Sequence, residues 1–189
     1  SNQIPPELTP EVEEALTTLE RRMGVRFGDP KAPLLVSVRS GARASMPGMM
    51  DSILNLGLND ATAKGLAEKT NNPRFVYDAY RRFIAMFSDV ALGVKREHFE
   101  HALDEARARV AKEKGIDATR LNAEELRRKV TDADIPASEL QALVVTFKKI
   151  VKEQTKADFP EDPKEQMWGA IRAVFHSWMN PSASVYRKM

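Results

Sequence analysis

Arg39, Gly48, Met49, Met50 and Ser52 fall in one short stretch, 39-RSGARASMPGMMDS-52, where a basic residue opens a segment of small side chains and one Pro-Gly. Small residues let a backbone approach a ligand closely. A guanidinium can grip an anion with two parallel hydrogen bonds. If a helix follows, its free N–H groups and dipole favour a phosphate, with Gly48, Met49 and Met50 offering backbone donors and Ser52 a hydroxyl. The loop is not of the GxxxxGK[ST] type, because no lysine follows the glycine. The same residues also fit a tight strand-to-helix connection with surface arginines, and spacing alone leaves both readings open.

The elements that must position this loop are mostly helical. Leu34 to Val38 is a short apolar run bounded by Pro33 and the Ser/Gly segment, which favours a buried strand. Met49 to Leu56 is expected as a short helix, followed by one over 61–69. Thr9-Pro10-Glu11 signals a first helix ending at Gly24. Val76, Ala79, Tyr80, Phe83, Phe87 and Val90 form the strongest amphipathic stripe, and Phe99, Ala102, Leu103, Ala106 and Val110 the next. Asn122 caps a short helix over 123–130. Leu140, Leu143, Val144, Phe147, Ile150 and Val151 define a long one. Asp162-Pro163-Lys164-Glu165 reads as a capping box for a last helix that uses Met167, Ile171, Val174, Phe175 and Trp178. The fold class is therefore mainly α with a small β component. One strand cannot satisfy its own backbone groups, so it must pair with a weakly signalled strand or with one outside this chain.

Composition narrows the function. Lys and Arg number 29 against 27 Asp and Glu, so the net charge of +2 gives no general footprint for nucleic acid. Cysteine is absent, which excludes disulfides and thiolate metal sites and fits a reducing compartment. No apolar run approaches about 18 residues, so no membrane span is expected. The expectation is a cytoplasmic protein. His98 and His101 lie on a charged helix and read as surface residues. Asp132 and Asp134 lack the glycine turn and closing Glu of a calcium loop. Trp168 and Trp178 read as core, and residues 112–135 as a charged, solvated helical insertion.

The stretch PLLVSVRSGARASMPGMMDSILNLGLND closely resembles the ATP-binding domain of the pyruvate, phosphate dikinase family. The resemblance continues through NPRFVYDAYRRFIAMFSDVALGV and FPEDPKEQMWGAIRAVFHSWMNPSASVYRKM, reaches back to LERRMGVRFGDP, and is weakest across 112–157. It implies part of an ATP-grasp-like nucleotide-binding domain with a helical subdomain. On that basis residues 1–58 are a strand-loop-helix part of the ATP-grasp-like lobe, 59–160 the helical subdomain, and 161–189 a helix returning to the lobe. Arg39 matches an arginine that contacts ATP phosphate. Gly48, Met49, Met50, Asp51 and Ser52 match the loop covering the phosphates, with Arg43 and Arg82 as further candidates.

The parent enzyme implied by the resemblance takes ATP, phosphate and pyruvate to AMP, pyrophosphate and phosphoenolpyruvate. A phosphohistidine on a central domain of the same polypeptide carries the phosphoryl group. Mg²⁺ assists, with its ligands expected outside this stretch, and the parent is a homodimer. No catalytic residue is expected within these 189 residues, and the chain alone is expected to be inactive. The Ser1-Asn2 start resembles a cloning remnant, so a fragment is expected. His176 and Ser182 depart from a family pattern that commonly has arginine, which puts a docking patch for the central domain in doubt. Two alternatives stand beside this reading. One is a stand-alone, non-catalytic nucleotide-sensing or interaction module. The other is part of a phosphoenolpyruvate synthase-like phosphotransferase.

Overall fold

The computed structural model describes residues 4–41 and 50–186. The chain divides into two compact units, Ser1–Lys69 with Pro160–Met189, and Thr70–Phe159. Helices dominate both.

The first unit begins with α1 (Leu8–Met23), closed by Gly24 in the left-handed conformation. This helix starts before the expected Thr9 cap, because Leu8 and Thr9 already donate to the carbonyls of Pro5 and Pro6. Two short strands, β1 (Arg26–Phe27) and β2 (Pro33–Leu34), pair in parallel. The expected single strand is thus broken at Leu35 and resumes as β3 (Val36–Arg39).

The expected helix over 49–56 is instead a strand, β4 (Ser52–Leu56), which pairs antiparallel with β3. The burial pattern supplies the reason. Ile53 and Leu56 are fully buried while Ser52 and Leu54 face solvent, and the run of apolar residues gives the β3 backbone the partner it needs. Between the pairs Val36↔Leu56 and Val38↔Ile53, β4 carries an extra residue. Asn55 takes a positive φ of 60° there, so a left-handed bulge lets Ile53 and Leu56 both point inward although three positions apart.

Helix α2 (Asp60–Thr70) follows, and the unit is completed by α7 (Pro163–Ser177) and α8 (Pro181–Tyr186). Asp162 caps α7 through the amide of Lys164. Helix α7 packs on β3 and β4. Its buried face is Gln166, Met167, Ala170, Val174 and Ser177, whereas Phe175 is 54% and Trp178 39% exposed. The expected apolar stripe is therefore rotated. Two polar residues face inward because strand backbone there needs partners, and the core role expected for Trp178 is not what the fold gives it.

The second unit is built from α3 (Pro73–Leu92), α4 (Arg96–Glu113), α5 (Ala123–Lys129) and α6 (Ala137–Thr155). Asn72 caps α3 with Pro73 in its first turn, and Asn122 with Glu125 forms a reciprocal capping box on α5. The α3 stripe of Val76, Tyr80, Phe83, Ile84 and Phe87 packs against Leu140, Leu143, Val144, Phe147 and Val151 of α6. Phe83, Phe87 and Phe159 form a ring cluster with centroids 5.6–5.7 Å apart. The charged insertion has a core of its own, in which Leu126 and Val130 join Val110 and Ala111. Its fully solvated reading is corrected accordingly.

Candidate functional site

The basic segment leaves β3 after Arg39 and enters β4 at Ser52, so the β3–β4 hairpin holds both of its ends. Arg39 and Ser52 are register partners, so the chain leaves and re-enters the sheet at adjacent points. Directly opposed residues of an antiparallel pair share a face, with Cβ atoms about 5 Å apart. Ser37 and Arg39 are the exposed members of β3, and Ser52 and Leu54 of β4. Arg39 and Ser52 therefore occupy opposed, exposed positions on the same face of the hairpin. Arg39 makes no ion pair with any described residue, which leaves its charge available to an anion.

The helix N-terminus invoked from the sequence does not exist here, since β4 rather than a helix follows the loop. Anion binding rests instead on Arg39, on hydroxyls and on backbone amides. Met50 and Asp51 lead into β4 and are half-buried. Arg43, Gly48 and Met49 lie outside the described residues.

Both ends of β4 are tied to α7. At the loop end, the Asp51 amide donates to Ser177 Oγ at 3.2 Å, and Ser177 Oγ donates to the Val174 carbonyl at 2.7 Å. At the far end, fully buried Gln166 accepts from the Gly57 amide at 2.9 Å. Its Nε2 donates to the carbonyls of Leu58 at 2.9 Å and Pro160 at 2.8 Å. Gly57 has a φ of 102°, and a Cβ there would come within 2.9 Å of the Phe27 ring. Gly65 on α2 lies against the chain at Pro30, whose carbonyl oxygen a Cβ would meet at 1.6 Å. Sequence reading missed Gln166, Ser177 and Gly65. The signal for the first two was present: Gln166, Ala170, Val174 and Ser177 follow helical spacing, so the polar pair shares a face with apolar residues.

Arg82 lies on α3 in the second unit, in a different constellation. Its guanidinium pairs with Asp78 at 3.0 Å and Asp132 at 2.9 Å. Asp132 also receives Arg81 at 2.6 Å and Arg107 at 2.5 Å, while its backbone carbonyl accepts from Arg74. Asp104 binds Arg107 and Arg127, each at 2.6 Å. Burial alone would raise the pKa of Asp132, but hydrogen bonds and charge from Arg81 and Arg107 outweigh it and hold the carboxyl below its usual range. Asp104 is likewise lowered by Arg127 and Arg107 against the opposing effect of burial. Asp134 closes a turn through Thr131 and pairs with Lys114. These acids are structural anchors.

Among the described residues there is no group of three or more His, Asp or Glu side chains able to hold a metal ion. No helix among the described residues is long and apolar enough to cross a membrane.

The model of the "Pyruvate phosphate dikinase, AMP/ATP-binding domain" family matches residues 1–189. Similar proteins include a pyruvate, phosphate dikinase of Clostridium symbiosum, 50% identical over 99% of this chain and 20% of that protein. A pyruvate, phosphate dikinase of Giardia intestinalis is 48% identical over 98% of this chain and 19% of its own length. A chloroplastic pyruvate, phosphate dikinase of Flaveria trinervia is 43% identical over 98% of this chain and 18% of its own. The chain thus spans about a fifth of the length of the curated relatives it matches.

Proposed function

The chain belongs to the pyruvate phosphate dikinase AMP/ATP-binding domain family, and from that membership we propose that it is the ATP-binding part of such a dikinase. The longer enzyme transfers a phosphoryl group from ATP through a phosphohistidine to pyruvate, giving phosphoenolpyruvate, AMP and pyrophosphate. The histidine belongs to a central domain of the same polypeptide, and the chain by itself does not complete a turnover. The domain is of ATP-grasp type, and the enzyme is a cytoplasmic homodimer.

Within this chain, Arg39 and the loop residues Gly48, Met49, Met50, Asp51 and Ser52 contact the phosphates, with Arg43 as a secondary candidate. The observation that carries the reading is the outward cross-strand pair of Arg39 and Ser52 at the mouth of the loop. A guanidinium with no ion pair among the described residues is suited to charge that spreads over phosphate oxygens during transfer. Its contribution is positioning and electrostatic stabilisation rather than covalent chemistry.

In the full-length enzyme, Arg39→Ala is expected to slow ATP-dependent histidine phosphorylation about 10²-fold or more. The exchange of phosphate between phosphoenolpyruvate and the histidine should be spared. An unchanged rate of the ATP half-reaction would sink the assignment.

A further inference from the structure

We infer that Ser177 is a positioning residue for the phosphate-binding hairpin, acting through the Asp51 amide on the register of Ser52 and Arg39; this rests on the phosphate reading given above. Ser177 is 1% exposed and lies on the buried face of α7 with Gln166, Met167, Ala170 and Val174. Its hydroxyl proton is committed to the Val174 carbonyl at 2.7 Å, which orients an oxygen lone pair toward the Asp51 amide 3.2 Å away. Asp51 immediately precedes Ser52, the register partner of Arg39.

Together with Gln166, this makes α7 a ruler for β4. From residue 166 to 177 the helix rises about 16 Å. From Asp51 to Gly57 an extended chain covers about 20 Å, and the bulge in β4 shortens it. The helix therefore holds both ends of the strand. A slip of one residue would exchange the two faces, turning Ser52 inward and Ile53 outward. Gln166 alone fixes the far end, where no candidate phosphate contact lies. The hydroxyl of Ser177 fixes the end that carries Ser52 and faces Arg39.

The test uses the full-length enzyme with ATP as the varied substrate. Ser177→Ala is expected to raise the KM for ATP about three- to tenfold, the worth of one hydrogen bond, with kcat changed less than about twofold. Ser177→Thr, which keeps the hydroxyl, should restore the KM. In an Arg39→Ala, Ser52→Ala background, Ser177→Ala should change the KM less than about twofold, because both groups whose register it holds are gone. A Ser177→Ala enzyme with unaltered KM, while Arg39→Ala is impaired, would overturn the inference and leave the phosphate reading standing. An effect of Ser177→Ala that persists undiminished in the Arg39→Ala, Ser52→Ala background would also overturn it, marking the serine as structural only. An Arg39→Ala enzyme with normal ATP kinetics would overturn both.

Discussion

Replacing Asp132 by Asn tests whether the charged segment 112–135 is held by one carboxylate. Asp132 receives Arg81 at 2.6 Å and Arg107 at 2.5 Å, and these two arginines are only 5% and 7% exposed. The third partner, Arg82, is more than half exposed and contributes little. A hydrogen bond to a buried charged group contributes about 1.5–3 kcal/mol, and Asn retains one acceptor oxygen. Arg81 and Arg107 also keep Asp78 and Asp104. The expected loss is therefore about 3 kcal/mol rather than the larger cost of stranding a buried ion. The assay is amide hydrogen exchange across α3, α4 and residues 112–135, where protection should fall about a hundredfold. The control is Glu124→Ala, which removes a 3.2 Å pair with Arg128 between side chains 71% and 82% exposed, and should cost below about 0.5 kcal/mol. A loss at Asp132 of less than about 1 kcal/mol, or one equal to the control, would refute the idea that this carboxylate holds the segment.

The same network sets a pH dependence. Asp132 and Asp104 have folded-state pKa values below those of the unfolded chain, so their contribution is complete above about pH 4 and is lost as pH falls through the lowered values. Carboxyl NMR titration should show both turning over below the usual Asp range, and Asp132→Asn should weaken the acid dependence. Gly65→Ala should destabilise the first unit by about 3 kcal/mol or more, because its Cβ would lie 1.6 Å from the Pro30 carbonyl oxygen; the fluorescence midpoint of denaturation, with Trp168 and Trp178 both in that unit, reads it. Gln166→Leu keeps the volume but leaves the Gly57 amide and two carbonyls unpartnered, and the same midpoint should report a loss of about 3 kcal/mol.

Much of the helical framework was legible because its signals are local. Asn122 caps the helix it was expected to cap, Gly93 and Gly115 take the left-handed conformation at helix ends, and the stripes on α3 and α6 lie where the 3.6-residue period puts them. The motif stretch from Pro33 to Asp60 likewise carried the family in its own wording. The candidate site was legible only as a list of residues. Ser-Ile-Leu-Asn-Leu has too little length to declare its period, and only pairing with β3 and a left-handed Asn55 made it a strand. That pairing decided that Arg39 meets Ser52, and that no helix dipole faces the loop. Gln166, Ser177 and Asp132 read as ordinary polar residues along the chain. Their partners lie 109, 126 and up to 58 residues away, and such distances are closed only by tertiary packing. Local sequence determines which backbone segments can be helical; the fold alone decides which buried amides, carbonyls and guanidiniums those polar side chains must satisfy.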